Sequence, residues 1–308
     1  MGGADAALAQ RRIGAPTRGL KGAAVRVPFR VDGIEVGSVA REHLPHLAPF
    51  ADLVAVAEDG VSWRDDGAQR DERFARLHQA LRQQGLIRAW RDEPYAVVDP
   101  ATLRVLACIE RAASRFWGTL TFGAHANGYV CDADGRPSQL WIAQRSATKA
   151  TDPGLYDNLV GGGVPHGQTP AQALVREGWE EAGLQPALLQ GARAGSVLRL
   201  QRDIPEGWQH EWLYSYDIEL PAGWEPQNQD GEVAAFTRVP VADAVALARG
   251  GGGTPMTVDA ALVTLDFALR HGLLHDATLA DPVRRRRVEA RQPALVEDCR
   301  PRADGRRA

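Results

Sequence analysis

The chain has 308 residues, 44% apolar and 24% charged, with a formal net charge of −3. That composition is ordinary for a globular protein with room for two cores, and the charge excludes a general electrostatic pull toward nucleic acid or membranes. Cys108, Cys131 and Cys299 are too few and too scattered for a disulfide framework or a zinc site, and no apolar run reaches the roughly 20 residues of a membrane span.

In chain order, residues 1–23 are rich in Gly, Ala and Arg without periodicity and read as a disordered tail, with no apolar core of a secretory signal. Val25 to Val31 alternates like a strand, and Asp32-Gly33 is a hairpin signal before Ile34-Glu35-Val36. A short helix is expected over Arg41 to Leu47, then a strand pair, Leu53 to Val56 and Val61 to Trp63, around Asp59-Gly60. Phe74, Leu77 and Leu81 recur at helical spacing, and Gly85 ends that helix. Ile87 to Trp90 and Tyr95 to Val98 read as strands. Residues 24–112 are therefore expected to form a small α+β domain. His43, His46 and His78 lie in it, apart from acids, and are read as structural.

From Phe116 a second set of strands begins, and residues 113–275 are expected to form a second domain. Gly118 to Val130 alternates and ends at the turn Asp132-Ala133-Asp134-Gly135. Leu140 to Arg145 and Tyr156 to Val160 are further strands, the latter feeding the glycine run Gly161-Gly162-Gly163. Thr169 is a good N-cap, Pro170 suits the first turn, Gln172 completes a capping box and Gly183 fits the C′ position. These signals predict a helix from Pro170 to Ala182. Strands follow near Val197 to Arg202 and His210 to Leu220, with another edge marked by Glu232, Phe236 and Val239. A last helix is expected over Thr257 to His271. Beyond it, residues 276–308 read as a flexible, Arg-rich tail.

The Pro170 to Ala182 helix carries the chemistry. Glu177, Glu180 and Glu181 fall at i, i+3 and i+4, so all three carboxylates share one side. Such a group of hard oxygen ligands suits Mg²⁺ or Mn²⁺. Arg176 precedes the first acid and stands four residues before Glu180. Gly162, Gln168, Arg176, Glu177, Glu180, Glu181, Gly183 and Leu184 together resemble the Nudix box at its full spacing. Gln168 replaces the acid of that pattern, and Gly178 replaces an aliphatic residue at a cost of about 1 kcal/mol of helix propensity.

The resemblance implies an α/β fold, a Nudix α/β/α sandwich with a mixed sheet, here preceded by the small α+β domain. It implies a magnesium-dependent hydrolase of diphosphate bonds, with Glu177, Glu180 and Glu181 as metal ligands. Arg176 is expected to orient them, and Glu232 or one of the three to accept the proton of the attacking water. Arg145, Lys149 and the backbone of Gly161, Gly162 and Gly163 are the expected substrate contacts, with surface ion pairs the alternative for Arg145 and Lys149. Leu140 to Lys149, Tyr156 to His166, Tyr216 to Pro221, Asp230 to Val233 and Leu265 to Gly272 look more narrowly like the Nudix half of fungal thiamine pyrophosphokinase fusions and their stand-alone plant and bacterial relatives. That narrower resemblance implies a small-molecule substrate, thiamine diphosphate or its oxo and oxy analogues, taken to the monophosphate in metabolite repair. The alternatives are ADP-ribose, a nucleotide sugar or another nucleoside diphosphate derivative, and a Nudix-fold binding module without turnover. A cytoplasmic location, no membrane or nucleic-acid partner and a homodimer complete the expectations. Trp117, Trp141, Trp208 and Trp212 are either core residues or a stacking surface for a flat heterocycle.

Overall fold

A computed structural model describes residues 24–64 and 69–274; the tails expected at 1–23 and 276–308 lie outside the described residues. β1 (Arg26–Val31) and β2 (Ile34–Ala40) form an antiparallel hairpin. Its turn residues Asp32 and Gly33 both take the left-handed conformation that a two-residue hairpin turn requires. α1 (Leu44–Leu47) follows between two 3-10 turns. β3 (Val54–Ala57) and β4 (Gly60–Trp63) then complete a four-stranded sheet in the order β2-β1-β4-β3. α2 (Arg70–Gln83) lays Phe74, Leu77 and Leu81 against it, the positions its periodicity marks.

The chain then departs from its sequence reading. Ile87 to Trp90, expected as a strand, is irregular. Ile87 is buried in the first core, and Ala89 takes a positive φ of 58° that no strand accepts. The apolar run marks burial there, not extension. β5 (Pro94–Val98) pairs with β6 (Val105–Glu110), which the sequence reading missed, and α3 (Arg111–Trp117) follows directly. The boundary expected between 112 and 113 falls inside α3. Ala112, Ala113, Phe116 and Trp117 of that helix all belong to the first core.

The second core is built on a sheet of seven strands, β11-β12-β7-β8-β13 with two short strands alongside. β7 (Leu120–Cys131) is its centre and β8 (Pro137–Arg145) its antiparallel neighbour. The expected strand Tyr156 to Val160 is two pieces, β9 (Tyr156–Asp157) on β8 and β10 (Val160–Gly163) on β7. α4 (Pro170–Ala182) has the expected bounds and the full capping box between Thr169 and Gln172. The short α5 (Pro186–Leu189), β11 (Arg193–Ile204), β12 (Gly207–Glu219) and β13 (Val233–Pro240) come next. α6 (Val241–Ala248) and α7 (Val258–Arg270) close the described chain.

Alternation along β7 sorts the layers. Leu120, Phe122, Ala124 and Ala126 pack with Ala173, Leu174 and Ala182 of α4. On the other face, Tyr129 packs with Phe267 and with Ala244 of α6. β12 runs parallel to β7 while β8 and β10 run antiparallel, so the sheet is mixed. The result is an α/β/α sandwich preceded by a smaller α+β unit. The β5-β6 hairpin joins the two, with Val97 in the first core and Ala96 and Val98 in the second.

Gly178, the departure from the expected aliphatic residue, has a packing reason. A Cβ there would sit 3.3 Å from Leu184 Cδ1 and 3.3 Å from Leu189 Cδ2. Those two leucines fill the space an aliphatic side chain would take.

His78 is wholly buried against Phe74 and Trp117. Trp117 Nε1 donates to His78 Nε2 at 2.7 Å, which fixes that nitrogen as an acceptor and the ring as neutral. Burial pushes its pKa from 6.5 down to about 3. The unfolded chain therefore takes up a proton here on acidification before the folded chain does. Stability from this residue is full above pH 6.5 and is lost as pH falls from 6.5 toward about 3. His78→Gln should be less stable than the parent at neutral pH. Denaturant titrations should show that gap closing by about 2 kcal/mol between about pH 7 and about pH 5. Parallel losses in the two proteins would contradict the assignment.

Candidate active site

α4 meets β10 at a distance that only glycine permits. A Cβ on Gly162 would lie 2.1 Å from Glu177 Cδ, and one on Gly163 would lie 1.7 Å from the Tyr95 hydroxyl. At Gly161 the neighbour is the His125 ring, 2.9 Å away. The glycine run was expected to open backbone to a ligand. Its missing side chains also make room for the protein's own Glu177, Tyr95 and His125.

In front of this strand is a cleft of about 670 Å³. Glu177, Glu180, Gln168, Lys149, Arg176 and Glu232 are among its lining residues, as are Gly161 and Gly162. Glu181 sits behind them, 4% exposed, accepting from Gly161 N at 2.8 Å and Lys149 Nζ at 3.3 Å. The Lys149 ammonium also bonds Glu232, which enters from the loop between β12 and β13. Arg176 donates to Glu177 at 2.9 Å and to Glu180 at 2.8 Å. The i, i+4 spacing that placed Arg176 over Glu180 is thus realised as a bond, and a second hand of the same guanidinium takes Glu177.

The electrostatics follow from burial. Desolvation pushes Glu177 above the usual carboxylate range, with Arg176 and Arg111 pulling the other way. Glu181 is pushed up to about 8 by burial, with Glu177 and Asp157 adding to the shift and Lys149 opposing it. Burial also acts to raise Glu232, but Lys149 and Arg91 outweigh it and hold that carboxyl below its ordinary value. Burial and mutual repulsion therefore favour the neutral forms of Glu177 and Glu181 unless further positive charge reaches the helix.

Among the described residues, no three His, Cys, Asp or Glu side chains already converge as a metal-ligand group. The carboxylates are turned to Arg176 and Lys149 instead. The residues nonetheless fit Mg²⁺ chemically. The acids are hard oxygen donors, crowded and partly desolvated, and at the cleft the buried Gln168 Oε1 and His166 Nδ1 have no partner. Gln168, the departure from the acid of the expected pattern, thus offers a neutral oxygen at the cleft.

Arg145 lines the cleft but is a strut. Its Nε and Nη2 donate to the carbonyls of Thr151 and Asp152, and its Nη1 to Asp157 at 2.7 Å. The tryptophans offer no stacking surface in the cleft. Trp117 is in the first core and Trp141 in the second, Trp208 faces Arg26, and Trp212 lies under Arg199. The structure adds residues the sequence did not point to: Arg91, Glu93 and Arg111 of the first unit line the same cleft. They sit far upstream of any motif, and no local pattern marks them.

A family model described as "NUDIX domain" matches residues 121–256, and one described as "Domain of unknown function (DUF4743)" matches residues 13–121. Nudix hydrolase 20, chloroplastic, of Arabidopsis thaliana is 34% identical over 261 residues, 80% of this chain and 68% of that protein. The chain belongs to the Nudix hydrolase family. Nudix hydrolase 24, chloroplastic, of the same plant is 34% identical over 263 residues, 83% of this chain and 71% of that protein. Among solved structures, DR0079 from Deinococcus radiodurans aligns with 22% identity and a TM-score of 0.43, over 57% of this chain and 99% of that one. As a Nudix hydrolase the protein acts on diphosphate bonds. No described helix is long and apolar enough to cross a membrane.

The glycine contact gives a sharp test. Gly162→Ala forces Glu177 away from its seat, and a displacement of that size should lower metal-dependent turnover about a hundred-fold. Circular dichroism should show the fold retained. Turnover close to the parent's would mean that the position of Glu177 does not matter.

Proposed function

We infer that the protein is a Mg²⁺-dependent diphosphatase of a small organic diphosphate, working in the cleft between α4 and the loop that carries Glu232. The observation that carries this reading is the acidic face of α4, crowded and partly desolvated, opening onto a cleft that also holds cationic side chains. Glu177, Glu180 and Glu181 would hold the metal, whose chemistry there is to neutralise phosphate oxygens. Arg176 orients Glu177 and Glu180 through its two bonds. Lys149, between Glu181 and Glu232, supplies positive charge at the cleft.

The reaction needs one water. Its oxygen forms a bond to phosphorus, the bridging P–O bond breaks, and the leaving phosphate keeps the electron pair. The proton of the water passes to a carboxylate. Glu232 suits that role because its carboxyl is held in the ionised, proton-accepting form.

The substrate we favour is thiamine diphosphate or its oxo and oxy analogues, released as the monophosphate and phosphate. What supports this is the likeness of sequence alone. Several residues behind that likeness are structural: Arg270 ties Asp217 and Asp266 together, and His271 joins them, away from the cleft. A small-molecule substrate, a cytoplasmic location and a homodimer belong to the same reading.

Two measurements test it. Phosphate release should be Mg²⁺-dependent and fastest with the oxidised thiamine diphosphates in a panel that includes thiamine diphosphate, ADP-ribose, a nucleotide sugar and a nucleoside diphosphate. Turnover of ADP-ribose or the nucleotide sugar alone would keep the site and discard the thiamine assignment. Glu181→Gln, which preserves shape and can still accept from Gly161, should lower turnover by orders of magnitude with the fold intact. Near-parental activity in that variant would remove Glu181 from the metal site.

A further inference from the structure

The wall of the cleft that faces α4 comes from the region matched by the domain of unknown function. Arg91 and Arg111 lie on that wall, with side chains 26% and 27% exposed. Among the described residues, each guanidinium commits only one nitrogen. Arg111 Nη1 donates to Glu93 at 2.8 Å, and Arg91 Nη1 reaches Glu232 at a long 3.4 Å. Arg145, by contrast, spends all its nitrogens on protein acceptors. Half-buried arginines with spare donors, in a cleft, are built to meet a multivalent anion.

Their placement is held tightly. One carboxylate, Glu110, accepts from Arg91 N at 2.9 Å, Glu93 N at 3.0 Å and Ala112 N at 3.3 Å. It therefore fixes the loop of Arg91 and the start of α3, where Arg111 sits, as one piece. The loop is also strained: Ala89 and Asp92 each have a φ of 58°, costly for residues with a Cβ. The wall is pinned to the second unit as well, because His166 N donates to Pro94 O at 2.8 Å and the Tyr95 hydroxyl fills the space over Gly163. Arg111 lies over the Tyr95 ring at 5.4 Å, which sets the direction of its guanidinium.

We propose that Arg91 and Arg111 bind the phosphates of the substrate diphosphate, so that the first unit completes the active site. This rests on reading the cleft as the site of hydrolysis. The acidic α4 face recruits cations, and the arginine wall takes the anionic substrate from the opposite side. The domain of unknown function is then a substrate-binding wall that hydrolysis requires.

The test uses the full chain with methylenediphosphonate, an unhydrolysable diphosphate, titrated calorimetrically in Mg²⁺. Arg91→Gln and Arg111→Gln should each weaken binding about tenfold or more and raise KM by a similar factor. Melting temperature should stay near the parent's, and Arg→Lys at each position should restore part of the affinity. A purely structural ion pair would move the melting temperature and leave affinity and KM alone, and that result overturns the proposal. If Arg111→Gln fails to fold, Arg91→Gln, which lies outside any helix or strand, decides the matter in the same way. Failure of the underlying reading looks different: wild-type protein would not bind the probe, or Glu181→Gln would keep parental turnover, whatever the arginine variants do.

Discussion

Glu177 lies on Gly162 with no room for a methyl group between helix and strand. That close approach sets the rest of the site. It brings α4 down onto the sheet, seats Glu181 beneath the strand against Gly161 N, and leaves Glu180 at the outer edge with Arg176. Three acids of one helix turn then stand at three depths. Their burial, more than their number, makes them a strong cation attractor, because desolvated carboxylates in mutual repulsion stay ionised only with a compensating charge nearby. Lys149 and Arg176 supply part of it.

The second constraint is the hairpin β5-β6. Its alternate residues enter both cores, so the two units share one rigid seam. Glu110 at its end gathers three backbone N–H groups, and Tyr95 on its first strand closes over Gly163. The first unit thereby stands at a fixed distance from α4. A cleft between two separately cored units needs such a seam if its walls are to hold a substrate in register.

How much of this the sequence held depends on range. The bounds of α4 were legible because every signal is local: an N-cap, a first-turn proline, a capping-box glutamine and a C′ glycine within one stretch. The bonds of Arg176 follow from helix spacing, whereas the seating of Glu181 depends on Gly161 and Lys149 from outside the helix, and the entry of Glu232 on its loop. Ile87 to Trp90 misled because an apolar run reports burial, and only the tertiary turn at Ala89 made it irregular. The close packing at Gly161 to Gly163 was not legible for the same reason, since the side chains that meet them come from β5, β7 and α4. Arg91 and Arg111 carried no signal. Isolated arginines far upstream of the motif acquire meaning only when the hairpin folds them against it.

The most direct measurement is anomalous diffraction from crystals grown with Mn²⁺ and methylenediphosphonate. A manganese peak is expected bonded to oxygens of Glu177, Glu180 and Glu181 at about 2.0–2.3 Å. The phosphonate oxygens are expected between that metal and the guanidinium groups of Arg91 and Arg111. A metal bound elsewhere, or a diphosphonate that touches α4 but not the arginine wall, would contradict this arrangement.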